Sequence, residues 1–347
     1  MRASLVVEPA VLAMPALAKD EISIARSIEI IIQLAEAVRN HDFGICLLTE
    51  AENYLIEAGL YPVHSSMSQS LAASGLSHVY TTEDIRRSVQ GILQNAERLE
   101  HSSGIDFLIP ESIRTQPDIF TGRSTGALKE SLEVTLAHLA LLTERAGKSN
   151  VQSLLADRPS NEDVEVIARI TDITPPLNDD ITSKDVSITV GFCGSVSEFA
   201  EQLDGNNLWH LAENDDEIRA AISIKARTIR KTSGCPAPKE NCHKFSIGSA
   251  FFGTMRSCQA HPSGKFGQVT FETAARLIAK SETETPKKLY KLSSSSQRED
   301  VVRSDGAVGW RLHVTKSSEG IRLMFWRKKD GSVELANVCP KSGVSIH

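Results

Sequence analysis

The side chains with most chemistry in reach lie near the end of the chain. Apolar and polar residues alternate through Trp310, Arg311, Leu312, His313 and Val314, the period of a half-buried strand. Trp310, Leu312 and Val314 then point to a core, and Arg311, His313 and Thr315 to the opposite face. An imidazole titrates near neutrality and can move a proton, while guanidinium groups hold oxyanions through forked N–H donors. Arg303 in the preceding turn and Arg322 on the following strand extend the set. If a phosphodiester were cleaved here, His313 is the expected base for a ribose 2′-hydroxyl proton. Arg311 and Arg303 would be its phosphate clamps, and this chemistry calls for no metal and no cofactor.

A second cluster, Cys235, Cys242, His243, Cys258 and His261, has the thiolate and imidazole ligands that tetrahedral zinc prefers. Its spacings argue against a metal. Cys-x6-Cys-His followed by Cys-x2-His lacks the C-x2-C knuckle, and Phe245, Ile247, Phe251 and Phe252 suggest that the segment is partly core. Gly147-Lys148-Ser149 imitates the end of a phosphate loop, but position 142 is Leu where the first glycine belongs. No hydrolase elbow, H-E-x-x-H or paired metal-binding carboxylates occur. His138 sits in a leucine-rich helical stretch and reads as a packed core histidine.

These residues belong to a chain of 347, longer than one hydrophobic core usually serves. Its net charge of −6 hides an asymmetry: residues 221–347 hold 22 Lys/Arg and 10 Asp/Glu, a net of +12, leaving −18 on residues 1–220. Such a split raises nucleic acid as a partner of the basic end, against the alternative that the two halves neutralise each other. Six scattered cysteines suit a reduced, cytoplasmic chain. The N-terminal apolar stretch is broken by Glu8, Pro9 and Pro15, unlike a secretory signal, and no run of eighteen apolar residues predicts a membrane span.

The expected class is α+β: an N-terminal helical bundle, a mixed α/β middle, and a C-terminal antiparallel β-meander preceded by a helix. Apolar stripes predict helices over residues 21–40, 43–60, 85–99 and 127–146, with Thr81 to Asp84 as a capping signature. This places an acidic helical domain at 1–170. The Pro- and Asp-rich stretch 171–185 reads as a linker, 186–268 as a mixed segment, and 269–347 as a basic α+β domain. Asn214 is expected to cap a helix whose first turn is acidic and whose last turn carries Arg227, Arg230 and Lys231, charges that the helix dipole explains without a ligand.

Strand-rich runs flank Lys329-Asp330-Gly331, a strong hairpin signal, and Asp305-Gly306 marks another turn. Arg311, Arg322, Trp326, Arg327 and Lys341 form the expected nucleic-acid-binding set, Trp326 being able to stack on a base. A helix, a charged turn, then RSDGAVGWRLHV and IRLMFWRK, resembles the sheet of RelE/ParE-type toxin domains over about the last 75 residues. By that resemblance Arg303, Arg311 and Lys341 lie on the concave face that engages RNA in the ribonuclease members. The leading expectation is an accessory protein that binds RNA or DNA, or a nucleic-acid-processing partner, through its basic sheet. The acidic front would then serve regulation or assembly. The alternatives are a metal-independent RelE-like ribonuclease restrained by that front, and a structural subunit whose charges serve protein partners or a homo-oligomer.

Overall fold

In a computed structural model of the chain, the residues described are 4–13, 20–40, 43–121, 126–146, 152–156, 163–177, 181–233, 245–291, 299–315, 320–343 and 345–347. The class is α+β, with helices first, a mixed middle and antiparallel strands at the end. Two compact units divide it, Met1–Leu203 and Asp204–His347. By these bounds unit 1 holds 15 Lys/Arg against 29 Asp/Glu, a net of −14, and unit 2 holds 23 against 15, a net of +8.

Unit 1 runs β1 (Ser4–Val7), α1 (Glu21–Asn40), β2 (Gly44–Leu47), α2 (Ala51–Glu57), α3 (His64–Ala73), α4 (Thr82–Asn95), β3 (Glu97–Arg98) and α5 (Leu99–Ser103). It continues with β4 (Phe107–Gln116), α6 (Gly126–Ala146), β5 (Gln152–Leu155), β6 (Val164–Thr174), β7 (Lys184–Cys193) and α7 (Val196–Gln202). Its strands form one sheet in the order β3-β2-β1-β5-β7-β6-β4. The first five are parallel to their neighbours and the last two antiparallel.

The expected front of helices therefore shares its domain with strands. Every residue of β1 and β2 is buried, so these strands show continuous short apolar runs without a period of two. That is why residues 43–60 resemble one helix in sequence but fold as β2 followed by α2. The ends of the expected linker 171–185 likewise belong to strands, and residues 178–180 lie outside the described residues. Thr171 to Thr174 complete β6, and Ile173 N–H donates to Thr182 O (3.1 Å) and Leu177 N–H to Ile181 O (2.9 Å), closing the turn into β7. Prolines and acids mark the end of ladder pairing at a hairpin tip as they do in a linker. The caps behave as local chemistry dictates: the side chains of Thr81, Ser195 and Asn214 accept from the N–H groups of Asp84, Glu198 and Glu217 at 3.0–3.1 Å.

Unit 2 comprises α8 (Gly205–Leu211), α9 (Asp215–Thr232), β8 (Phe245–Ile247), α10 (Phe251–Ser257) and α11 (Gly267–Ala279). After these come β9 (Lys287–Lys288), β10 (Val308–His313), β11 (Ile321–Arg327) and β12 (Val333–Pro340). β9 to β12 form the antiparallel meander, and β8 adds a parallel strand beside β12. Residues from α8, α9 and α11, including Trp209, Ile222 and Phe271, fill one core with Leu312, Leu323, Phe325 and Leu335 of the sheet. Trp209 and Phe271 stack at 4.7 Å, an aromatic contact worth about 0.5–1.5 kcal/mol beyond its area.

The basic residues of α9 serve this packing. Buried Arg230 donates to the carbonyls of Ile278 (2.9 Å) and Ala279 (3.1 Å) at the end of α11, and Lys225 pairs with Glu272 at 2.8 Å. In the β11–β12 hairpin Gly331 takes φ +81°, and Gly331 N–H donates to Lys328 O at 3.0 Å. This is the left-handed residue that a short hairpin loop needs. No helix among the described residues is long and apolar enough to cross a membrane.

Candidate anion-binding site

The unit 2 sheet has two faces, and residue parity assigns every candidate to one of them. Trp310, Leu312 and Val314 turn toward the helices with Ile321, Leu323 and Phe325. Arg311 and His313 turn the other way, toward the side of Met324, Trp326, Ala336 and Cys339. Pairing sets these residues in rows across the strands. Lys287, Arg311, Met324 and Asn337 form one row, and His313, Arg322 and Cys339 the next. Arg311 and Arg322 are thus diagonal neighbours on adjacent strands, a separation long side chains span.

Among the described residues the cations in these rows, Lys287, Arg311 and Arg322, have no carboxylate ion pair, and the buried Nε–H groups of both arginines have no acceptor. Arg322 donates through Nη1 to Gly343 O at 3.3 Å. Burial and then the Arg322 guanidinium hold the Arg311 pKa below its ordinary value. His313 is pushed down by burial first and by Arg322 next, with Glu284 working against them. The face thus carries positive charges held close together, an arrangement that a bound anion stabilises.

The other expected site residues part from this group. Arg303 is engaged: Nη1 and Nη2 bond both Glu334 oxygens, Nε and Nη2 bond Asp305, and the guanidinium lies 5.1 Å from the Trp326 ring centre. That pairing raises the Arg303 pKa and holds Asp305 at about 2. It is no clamp, because its donors are already spent on carboxylates. Trp326, 5 % exposed, is covered and donates Nε1–H to His347 O at 3.3 Å, so no base can stack on it. Arg327 has the parity of Leu323 and Phe325 and emerges on the helix side. There it lies 4.7 Å from the Trp310 ring centre and 3.4 Å from Glu282. Lys341 is exposed just past β12, where its backbone N–H donates to Gly320 O.

Lys287 is the functional candidate that sequence reasoning missed. A two-residue strand gives no periodicity, and only its pairing opposite Arg311 brings it to this face. Of the zinc candidates, Cys235, Cys242 and His243 lie outside the described residues. Cys258 donates toward Val338 O (3.5 Å), and the His261 ring bonds Ser263 (3.1 Å). Among the described residues no three His, Cys, Asp or Glu are grouped to hold a metal ion.

In unit 1, His138 is 2 % exposed and bonds Ser103 through Nδ1 at 3.0 Å. Burial lowers its pKa to about 4. Ser103, equally closed to solvent, also donates to Glu100 O, so the pair is a buried hydrogen bond without access for a substrate. Compared with known proteins, the chain matches no protein family, no curated protein and no solved structure.

Proposed function

We propose that unit 2 binds nucleic acid through the phosphate backbone, using Lys287, Arg311 and Arg322 on three adjacent strands. The observation that carries this reading is their shared face without an acidic partner among the described residues. A cation neutralised by protein carboxylates leaves little for a ligand, as Arg303 illustrates; these three retain their charge for a polyanion. The net charge of +8 on unit 2 favours the same class of partner. Regulation or assembly through the acidic unit 1 belongs to this proposal.

The test is a titration of labelled single-stranded RNA and duplex DNA with the full chain at several salt concentrations. Three phosphate contacts predict a log–log salt slope of roughly −2 for single strands. Replacing Arg311 and Arg322 by Gln should flatten it. Absence of binding to both probes sinks the proposal and favours a structural subunit.

A second reading, a ribonuclease of the RelE/ParE type, gains support from His313. Its lowered pKa keeps the imidazole neutral at pH 7, as a base for a ribose hydroxyl must be, beside the two arginines that would hold the phosphate. Cleavage of single-stranded RNA in the presence of a chelator, lost in His313→Ala, would establish it. Intact RNA at saturating protein would end it.

A further inference from the structure

We infer that the Arg311–Arg322 pair takes a terminal phosphate monoester of a single strand, with Lys287 on the adjoining diester. This rests on the nucleic-acid reading above and assigns the part of the strand that the site receives.

Three observations lead there. The first is charge matching. Two diagonal guanidinium groups supply two positive charges at one place, and a phosphate monoester carries close to two negative charges at pH 7, whereas an internal diester carries one. Lys287, exposed in the row of Arg311, supplies a third charge one step outward.

The second is the state of the donors. The Nε–H groups of both arginines are shut from solvent without an acceptor among the described residues, while each residue as a whole is half-buried. A terminal phosphate brings three unshared oxygens to such donors, an internal diester two.

The third is what lines the pair on its two sides. On the β12 side Gly343 accepts from Arg322, and His347 accepts from Trp326 and donates to Asn337. Among the described residues that side is lined by Gly343 and His347, whereas the β9 side presents the exposed cation Lys287. This favours a strand that ends at the pair and leaves past β9.

The phosphate monoester could come from a strand end or from a free phosphate, and the experiment separates them. The probes are ten-nucleotide single-stranded RNAs, internally labelled, with a 5′-phosphate, a 3′-phosphate or hydroxyl ends, each titrated against the full chain, with inorganic phosphate as competitor. The expected result is a preference of about tenfold for one phosphorylated end over hydroxyl ends. Arg311→Lys with Arg322→Lys keeps the charge but loses the forked donors, so end preference should vanish while the salt slope persists. Lys287→Ala should reduce the slope by about one contact and leave the end preference intact. Equal, salt-sensitive binding of all three RNAs overturns the inference and leaves the proposed function standing. Phosphate that binds as tightly as the phosphorylated RNA overturns the strand-end assignment. Absence of binding to every probe defeats both readings. Thermal midpoints within a few degrees of the parent chain show that each variant is folded.

Discussion

His138 in unit 1 and His313 in unit 2 both have pKa values below the ordinary one, and burial is the largest cause for each. Their surroundings differ. His138 lies on the leucine-rich helix α6, its Nδ1 bonded to Ser103, and the one charge acting on it, the Glu100 carboxylate, opposes burial. His313 lies on a strand beside Arg322, with Arg311 and Lys287 adding positive charge. The comparison separates a polar group that the fold has satisfied from one that the fold has left with its neighbours uncompensated. The same contrast recurs within unit 2 between Arg303, with two carboxylate partners, and Arg311, with none among the described residues.

Four experiments sharpen or break that contrast. The largest effect is expected at His138. Its pKa is about 4 in the folded chain and near 6.5 when unfolded, so the unfolded state takes up the proton first as pH falls. Stability is then constant above pH 6.5, drops through the window from 6.5 to 4, and levels off below it. The loss is roughly 3 kcal/mol from this group. Denaturation midpoints across that window, parent against His138→Gln, measure it; identical pH profiles would show that the buried imidazole is not held neutral.

Next comes the paired replacement of Arg311 and Arg322 by Gln, with an expected loss of about 30-fold in single-stranded RNA affinity, about 2 kcal/mol. Unfolding midpoints should stay level or rise, since two unneutralised charges are removed. A fall in stability with unchanged affinity would reverse the roles assigned to these arginines and to Arg303.

Arg303→Ala should do the opposite. It leaves the Glu334 carboxylate with Lys328 as its remaining cation, costing about 1 kcal/mol of stability, and leaves RNA affinity unchanged.

The smallest effect concerns His313 and its pH dependence. A bound phosphate stabilises the imidazolium, so binding raises the His313 pKa from its lowered value. Affinity therefore grows a few-fold as pH falls through the His313 titration. His313→Gln should abolish the gain, and a profile unaltered by that change would place the proton elsewhere.

Much of the sheet that carries the site was legible in the residues themselves. Alternation through Trp310 to Val314 assigned Arg311 and His313 to one face, and Asp330-Gly331 located the hairpin that joins β11 to β12. The same parity, carried along β11, also places Arg327 opposite Arg322, which a list of nearby basic residues conceals. Less was legible at Trp326 and Arg303. Strand alternation gives a face but not what covers it, and the partners there, Glu334 and His347, stand 31 and 21 residues away in sequence.

Sequence alone determined the local features of this protein: the capped starts of α4, α7 and α9, the leucine stripe of α6, the glycine turns and the alternation of β10. Each depends on groups within a few residues, whose hydrogen bonds and steric limits act wherever the chain goes. Tertiary structure decided the rest. Short apolar runs such as β1 and β2 became parallel strands only by pairing with segments far along the chain, and residues 171–174 and 184–185 joined strands because β6 and β7 found each other. It likewise decided which cations remained available. Arg303 met two carboxylates, whereas strand pairing gathered Lys287, Arg311 and Arg322 onto one face without one among the described residues, because charge compensation depends on distance in space and not on order along the chain.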